Sequence, residues 1–142
     1  MELVVDSSVA VKWYVDEQHS TEARRILADY KAGSLILLAP DLIYAEFGNI
    51  MWKKRTFQGF NPNDAERIVK RFRAQSVFSL TSTADLVEDA YRLAVAHRRT
   101  VYDSLYLALS LRAGCQFVTA DEKLVNAIGS AFPHVVWLAN WP

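Results

Sequence analysis

The sequence has a single cysteine, Cys115, among its 142 residues. One cysteine cannot form an intramolecular disulfide, and a thiolate zinc site needs several cysteines at close spacing. The sequence therefore excludes both a disulfide-stabilised scaffold and a cysteine zinc site. Its three histidines, His19, His97 and His134, lie far apart in the chain and show no metal-ligand spacing. We expect all three in surface or structural positions, and Cys115 as a small core residue.

The sequence also lacks an excess of either charge, because 16 Lys and Arg residues balance 16 Asp and Glu residues. A zero net charge excludes a uniformly basic nucleic-acid binder, although it permits a local basic patch. No apolar run approaches the roughly 18 residues that a membrane span requires. The segment Met1–Asp6 has no basic stretch ahead of a long apolar one, so we expect no signal peptide, no membrane partner and a cytoplasmic location.

Glycine and proline are scarce, at five and four residues, and no linker rich in either divides the chain. With 51% apolar residues, the composition is that of a globular protein. We therefore predict one domain over residues 1–142, which at this length buries roughly 65–70% of the surface that the unfolded chain exposes.

Short apolar runs alternate with longer helical patterns along the chain. The runs predict five strands, at Leu3–Val5, Leu35–Ala39, Val77–Leu80, Phe117–Thr119 and Val135–Leu138. Helices are predicted between them, after Asp6 and over about 20–31, 41–54, 61–74, 82–97, 102–113 and 122–128. Strands that alternate with helices predict an α/β fold, with a mostly parallel sheet covered on both faces.

Side chains with hydrogen-bonding oxygens precede most of these helices and predict their N-caps. Ser7 or Ser8 is expected to cap the first helix, and Asp41 the helix that follows the second strand. Asn61 precedes Pro62, which is a cap followed by proline at the first helical position. Ser82 or Thr83 is the expected cap of the next helix. Gly33 and Gly114 are the expected stops of their helices.

Two acidic residues follow predicted strands. Asp6 comes directly after the first strand, and Asp121 lies two residues beyond Thr119, the last residue of the fourth. Ligands of an open parallel sheet bind outside the carboxyl ends of its strands. We therefore expect both carboxylates at the same edge of the sheet.

Two further acids lie on helices that are otherwise apolar. Asp103 opens a segment that is apolar on nearly every side, and the first turn of a helix is where a buried acid is tolerated, because free N–H groups face it. Glu46 interrupts the apolar run Leu42–Phe47, and Asn49 shares its helical face three residues later. A carboxylate and a carboxamide on one apolar helix suggest a shared polar role.

Each acid also has a structural interpretation. Asp6 and Asp121 could cap helices, Asp103 could pair with a helix dipole, and Glu46 could reach the surface or pair with an arginine. Four coincidences around two strand ends are less easily explained in this way. Clustered carboxylates repel one another unless they are protonated or bridged by a cation. Ligands that are all oxygen favour a hard divalent ion, Mg²⁺ or Mn²⁺.

These residues resemble the PIN-domain ribonucleases, and especially the VapC-type toxins of toxin–antitoxin pairs. The resemblance covers essentially the whole chain. Each of the motifs that carry the resemblance is too short to identify the family alone. Their order, their spacing and the chain length together are specific to it. The motifs are Val4–Ser8, Glu46–Asn49, Tyr102–Leu109 and Thr119–Leu124.

The resemblance implies an α/β/α sandwich and a metal-dependent endoribonuclease that inhibits translation as a toxin. It implies that one or two Mg²⁺ or Mn²⁺ ions are held by an acidic quartet, Asp6, Glu46, Asp103 and Asp121. We expect Asp6, Asp103 and Asp121 to be the tighter metal set, and Glu46 to orient the water or to hold a second, weaker ion. Ser7 or Ser8, Thr119 and Asn49 match the polar residues beside the family's site. It also implies a homodimer and a cognate antitoxin, whose tail occupies a groove near the acids and often places an arginine there.

RNA binding predicts local positive charge. Between Lys53 and Arg73, seven basic residues face two acidic ones, a net charge of +5. Three of them, Arg67, Lys70 and Arg71, share one helical face and are candidate RNA contacts, as is Arg98 near Asp103. Phe57, Phe60 and Phe72 lie among the basic residues and could stack on bases. A solvated helix face without RNA contacts is the alternative.

Large apolar side chains recur at helical spacing in the first and third helices, and most of them are expected to pack in the core. They are Trp13, Tyr14, Tyr44, Phe47, Met51 and Trp52. Trp141 could lie in the core, in a dimer contact or at the surface. Two functions remain as alternatives to a toxin. One is a PIN-like module that binds RNA or protein without catalysis, and the other is a housekeeping RNA-processing nuclease. A phosphoryl-receiver domain and a haloacid-dehalogenase-like phosphatase are disfavoured, because Ser7 and Ser8 stand where they need a second acid.

Overall fold

A computed structural model describes residues 1–142 as five parallel strands and seven α-helices. The strands are β1 (Glu2–Val5), β2 (Ile36–Pro40), β3 (Ser79–Thr81), β4 (Gln116–Thr119) and β5 (Val135–Trp137). They form one sheet in the order β3-β2-β1-β4-β5, and every neighbouring pair is parallel. The α/β fold with a parallel central sheet is therefore confirmed.

The helices lie where the apolar periodicity predicts them. They are α1 (Ser7–Ala10), α2 (Ser20–Lys31), α3 (Ile43–Phe57), α4 (Pro62–Gln75), α5 (Thr83–His97), α6 (Val101–Ala113) and α7 (Glu122–Ile128). Two 3₁₀ turns, Val11–Trp13 and Leu138–Asn140, complete the chain. None of the helices is long and apolar enough to cross a lipid bilayer.

Two predicted caps were wrong. Asp6, rather than Ser7 or Ser8, is the N-cap of α1, because its carboxylate accepts a hydrogen bond from the backbone N–H of Ser8. Asp41 does not cap α3, which begins after Leu42 without a side-chain cap. The Asp41 carboxylate instead accepts hydrogen bonds from the N–H and hydroxyl of Thr83, at the start of α5. Tertiary proximity of two loops therefore took this side chain away from its own helix.

The third strand lies later in the chain than its apolar run indicates. Val77 and Phe78 are buried, but they precede the ladder, which pairs Ser79, Leu80 and Thr81 with β2. The two apolar side chains pack against the cluster on α3 and α4, and Phe78 contacts Trp13 and Phe72. Burial alone therefore did not distinguish a strand from the segment that enters it.

The chain reverses its direction across the sheet after β3, and this reversal puts helices on both faces. Because crossovers between parallel strands are right-handed, α1 to α4 cover one face and α5 to α7 the other. On the second face α6 packs directly on β1, β2 and β4, and α5 packs on the outside of α6. The result is an α/β/α sandwich.

The hydrophobic core is continuous through both interfaces of the sheet with the helices. Central strand residues such as Leu3, Leu37 and Phe117 have no exposed surface. Around α3 and α4 the core is aromatic, with Phe47 and Phe72 stacked at 3.8 Å between ring centroids. Burial of these side chains is what holds the starts of α3 and α6 against the sheet edge.

Candidate active site

The acids gather at the point where the strand order reverses. The chain leaves β1 toward β2 on one side and later returns to β4 on the other, so β1 and β4 are neighbours whose connections diverge. Such a switch point leaves a crevice at the carboxyl ends of the two strands. Asp6 directly follows β1, and Thr119 is the last residue of β4. Asp121 follows Thr119 by two residues, so the predicted location at one sheet edge is confirmed for both Asp6 and Asp121.

Asp6 is the most buried acid of the protein, with 8% of its surface exposed. One carboxylate oxygen accepts hydrogen bonds from the backbone N–H and the hydroxyl of Ser8, and the other accepts one from the Thr119 hydroxyl at 2.6 Å. Burial raises the pKa of Asp6 to about 7; these hydrogen bonds oppose the rise, and the charge of Glu46 adds to it.

The hydroxyls that hold Asp6 also bind the loop after β4. The Thr119 hydroxyl accepts a hydrogen bond from the backbone N–H of Asp121, and the Ser8 hydroxyl accepts one from Ala120. Asp6 and the Asp121 backbone therefore share one hydroxyl. Of the two serines predicted beside the site, Ser8 makes these contacts, and Ser7 contacts a different acid.

Glu46 lies in the first turn of α3, half-buried, and reaches across to α6. Its Oε1 accepts a hydrogen bond from the Tyr106 hydroxyl at 2.5 Å and a longer one from the Ser7 hydroxyl at 3.5 Å. Burial raises the pKa of Glu46, the Tyr106 hydrogen bond opposes the rise, and the charge of Asp103 adds to it. Burial, together with the Glu46 charge, raises the pKa of Tyr106 far above its usual range, so its O–H remains a donor.

Tyr106 was missed by the sequence interpretation. A signal was present, because Tyr106 lies three residues after Asp103 and therefore on the same face of α6. Its surroundings on α6 are apolar, and this led us to treat it as one more core side chain. Asn49, by contrast, is exposed and makes no hydrogen bond with Glu46, although the two share a helical face.

Asp103 lies in the first turn of α6, where the Thr100 side chain caps the helix by accepting from the Asp103 N–H. Burial raises the pKa of Asp103, the charge of Asp121 raises it further, and Thr100 and Arg99 oppose the rise. Asp121 is the N-cap of α7 and accepts from the N–H groups of Lys123 and Leu124. Its structural interpretation as a cap is thus correct, and both of these hydrogen bonds end on Oδ1.

The four acids form one electrostatic group. Glu46 raises the pKa of Asp6, Asp103 raises that of Glu46, and Asp121 raises that of Asp103. None of these carboxylates forms a salt bridge. Glu46 has hydroxyl partners, so its predicted alternative as an arginine's partner is wrong.

The donor set of this group is made of carboxylate and hydroxyl oxygens, the ligand type that Mg²⁺ and Mn²⁺ prefer. As the side chains stand, no three Asp, Glu, His or Cys residues are close enough to hold a metal ion. The spacing is that of separated, mutually repelling charges. A cation that bridges them would therefore require the carboxylates to move closer together.

The predicted RNA contacts lie on exposed surface. On α4, Arg67 pairs with Asp64 and Lys70 with Glu66, and both pairs are largely solvent-exposed. The Arg71 guanidinium lies over the Tyr14 ring, 5.9 Å from its centroid. Arg98 is exposed and forms the C-cap of α5 in the left-handed conformation. Exposed ion pairs of this kind are weak, so they leave the cations accessible to a phosphate.

The prediction that Phe72 could stack on a base is wrong. Phe72 is 3% exposed and stacks on Phe47 inside the core, so it cannot reach a base. Phe57 is exposed at the end of α3, and Phe60 is partly buried against the core. The face of α4 that carries Phe72 packs against α3. The sequence of α4 does not indicate which helix packs beside it, so this burial was not predicted.

Two of the predicted core aromatics, Trp13 and Phe47, are buried, and Tyr14 and Tyr44 are partly buried against the core. Trp141 also lies in the core, at 9% exposure. Trp52, at 53% exposure, lies on the surface beside Phe57.

Between α3 and α4 there is a cleft of about 710 Å³, lined mostly by Tyr44, Phe47, Val69, Phe72 and Arg73. None of the four acids lines this cleft.

Comparison with known proteins identifies relatives along the whole chain. Residues 3–128 match the PIN domain family. Ribonuclease VapC3 of Pyrobaculum aerophilum is 34% identical over 140 residues, which cover 96% of this chain and 98% of that protein.

Three solved structures share the fold. A P. aerophilum crystal structure superposes with a TM-score of 0.68 at 22% identity, covering 98% of this chain and 92% of that one. Mycobacterium tuberculosis VapC20, a toxin that cleaves the sarcin-ricin loop, has a TM-score of 0.64 at 19% identity, with 88% and 94% covered. A toxin–antitoxin complex from Klebsiella pneumoniae has a TM-score of 0.63 at 14% identity, with 96% and 97% covered.

Proposed function

Because this chain belongs to the PIN-domain family, we infer that it is a VapC-type endoribonuclease, a hydrolase of RNA phosphodiester bonds. We propose further that it is the toxin of a toxin–antitoxin pair and inhibits translation by cutting RNA. One observation carries the enzymatic assignment: four carboxylates from four different elements lie around the β1/β4 crevice, and none of them forms a salt bridge. A module that only binds has no reason to hold four repelling charges together.

We propose that Asp6, Asp103 and Asp121 bind a divalent ion, Mg²⁺ or Mn²⁺, and that Glu46 orients the attacking water or holds a second, weaker ion. When bound, the ion supplies a water of lowered pKa and neutralises charge on the scissile phosphate. The chain itself supplies position. Asp6 is held by two hydroxyls and one N–H group, which leaves it little rotational freedom at the base of the crevice.

RNA is proposed to lie across the basic face of α4 and the loop that precedes α6. Arg67, Lys70 and Arg71 would contact phosphates, and Arg98 would do so closer to Asp103. The support is their exposure and, for the three residues of α4, the net charge of +5 between Lys53 and Arg73, which leaves −5 on the rest of the chain. These contacts would make binding depend on salt.

An antitoxin is the proposed protein partner, since one of the structural neighbours is a toxin–antitoxin complex. The cleft between α3 and α4 is mostly apolar and has the volume to take several side chains. Tyr44 in its lining belongs to the same turn of α3 as Glu46. An antitoxin tail in this cleft could place a basic side chain among the acids. Such a side chain would replace the cation and silence the enzyme.

A homodimer is proposed through the outer face of α5. Val87, Tyr91 and Val95 recur every four residues on this face, with 40%, 62% and 64% of their surfaces exposed. The N-terminal half of α5 carries Asp85 and Glu88, while its C-terminal end carries basic residues, among them Arg98. An antiparallel pair of α5 helices related by a two-fold axis would therefore set acidic ends against basic ends.

The dimer is tested by light scattering of the purified protein across a concentration series. We expect a dimer that Tyr91→Asp dissociates, while Phe57→Asp, which adds the same charge at an exposed aromatic on α3, leaves it intact. A monomer at every concentration, or a dimer unaffected by Tyr91→Asp, would contradict this surface.

The enzymatic function is tested by incubating total cellular RNA with the purified protein in Mg²⁺, in Mn²⁺ and in EDTA. We expect discrete fragments that need a divalent ion, and no fragments from Asp103→Asn prepared in parallel. Cleavage at the wild-type rate by Asp103→Asn would overturn the metal site. A mass spectrum of the same sample shows whether an antitoxin has co-purified. Absence of cleavage from a sample free of antitoxin would favour a binding module instead.

A further inference from the structure

The two oxygens of Glu46 have different environments. Both of its hydrogen bonds, from the Tyr106 hydroxyl at 2.5 Å and the Ser7 hydroxyl at 3.5 Å, end on Oε1. Oε2 accepts no hydrogen bond from any protein group. A carboxylate oxygen with two hydroxyl donors has little capacity left for a further ligand. The free lone pairs of Glu46 are therefore those of Oε2.

The packing of the Tyr106 ring fixes the position of its hydroxyl. The residue is 2% exposed, and its ring stacks on Phe117 with centroids 5.9 Å apart and planes 12° from parallel. Phe117 is fully buried in β4, which pairs on both sides within the sheet. The phenol oxygen is thus held by the sheet through one rigid aromatic contact, and it fixes Glu46 in turn.

The strand β4, which supports Tyr106, also positions a second acid, Asp6. Phe117 and Thr119 are two residues apart in β4 and so project from the same face of the sheet. Phe117 supports Tyr106, which donates to Glu46, and Thr119 donates to Asp6. One face of one strand therefore sets the relative position of two carboxylates that come from different parts of the chain.

We propose that Tyr106 is a positioning residue that occupies Oε1 of Glu46 and so presents Oε2 as the one oxygen available for an activated water or a divalent ion. This inference rests on the proposed nuclease function. In this proposal Glu46 acts through Oε2 alone. The Tyr106 hydroxyl does not contact RNA, yet it is necessary for full activity.

Tyr106→Phe tests the proposal, because it keeps the ring and its packing and removes only the hydroxyl. With a defined RNA we expect kcat to fall about 10-fold to 100-fold at unchanged KM, the range seen when a group that orients a metal ligand is lost. The Mn²⁺ concentration that half-maximally raises the melting temperature should increase. In the Glu46→Gln background, Tyr106→Phe should not shift this concentration further.

Tyr30→Phe is the matched control. Tyr30 on α2 also packs against the core, and its hydroxyl makes no hydrogen bond within the protein, so we expect kcat and the Mn²⁺ midpoint within twofold of the wild type. Wild-type values for Tyr106→Phe would overturn the proposal. So would an equal shift of the Mn²⁺ midpoint in the Glu46→Gln background, since that result means that Tyr106 acts on the fold and not through Glu46.

A failure of the proposed function can be told apart from a failure of this inference. If the wild type neither cleaves RNA nor responds to Mn²⁺, the proposed function is overturned. The contact is then judged by urea unfolding in EDTA, where no metal is involved. Non-additive effects of Tyr106→Phe and Glu46→Gln support the positioning role, and additive effects overturn it.

Discussion

Three of the four carboxylates of the crevice, those of Asp6, Glu46 and Asp121, are held by neutral donors and not by a cation. Hydroxyls of Ser8 and Thr119 hold Asp6, the Tyr106 hydroxyl holds Glu46, and backbone N–H groups hold Asp121. Neutral donors fix an orientation without cancelling the charge. The group therefore keeps its negative charge, as the proposed binding of a divalent cation requires.

The raised pKa of Asp6 predicts how the stability of the metal-free protein changes with pH. In the unfolded chain this carboxyl has a pKa of 3.8, and in the folded protein burial raises the pKa to about 7. The folded state therefore binds the proton more tightly, and its stability falls as pH rises from about 4 to 7. At about 1.4 kcal/mol for each pH unit, the loss is on the order of 4 kcal/mol.

Urea unfolding in EDTA at pH 5 and pH 7.5 checks this dependence. Asp6→Asn, which cannot ionise, should remove most of the difference between the two pH values. A wild-type midpoint that is the same at both would show that Asp6 has an ordinary pKa in the folded protein.

Asp103→Asn should change the stability of the metal-free protein in the opposite sense to its effect on activity. The substitution removes one of several repelling charges from a half-buried position, where burial and Asp121 both oppose ionisation. We expect a melting temperature in EDTA at pH 8 at or above that of the wild type, and no stabilisation by Mn²⁺. A clear loss of stability in EDTA would mean that the carboxylate holds the fold together.

At the scale of the elements, α6 organises the site. It is apolar on nearly every side, and residues 104–110 are all buried between α5 and the sheet. Its first turn carries Asp103, and the next carries Tyr106. The two ends are set by local chemistry, since Thr100 caps the start and Gly114 ends the helix in the left-handed conformation at φ +65°.

Gly114→Ala should therefore destabilise the protein by about 1 kcal/mol, because a side chain disfavours this backbone conformation. No atom lies within 4 Å of the added Cβ, so the cost is that of the backbone alone. Gly48→Ala is the control with the opposite sign. Gly48 lies in the interior of α3 with equal space around its Cβ, and alanine there should stabilise by about 0.5–1 kcal/mol. Urea unfolding measures both.

The basic face of α4 predicts a salt-dependent effect on RNA. Arg67→Glu and Arg71→Glu should each weaken binding to a non-cleavable RNA and reduce the slope of log K against log salt by about one. Arg25→Glu, an equal charge change on exposed α2, should have a much smaller effect. If all three variants behave alike, binding follows net charge only, and α4 is not the RNA surface.

For the whole molecule, metal binding and folding should be linked. A ligand that binds only the folded state adds RT ln(1 + [L]/Kd), or about 2.7 kcal/mol at a concentration of 100 Kd. Mn²⁺ should therefore raise the melting temperature of the wild type by several degrees, and the increase should grow with pH as the carboxyls ionise. Melting curves recorded in Ca²⁺-free buffer at increasing Mn²⁺ concentrations, at pH 6 and at pH 8, test both statements.

Local patterns were sufficient for most of the architecture. Apolar periodicity located all seven helices, and the bounds of α2 and α7 matched the prediction to the residue. The parallel sheet followed from the alternation of strands with helices, and the four acids stood out because each interrupts an apolar segment or follows a strand. All of these signals lie within a few residues of chain.

Contacts between distant segments decided the rest. The cap of α3 was wrong because Asp41 bonds to Thr83, the role of Phe72 was wrong because α4 packs on α3, and Tyr106 was missed because its partner Glu46 lies 60 residues away. The sequence by itself determined which residues are charged, apolar or helical, since these are properties of neighbouring residues. Only the tertiary structure decided which oxygen of Glu46 stays free, because that depends on where folding brings one buried hydroxyl.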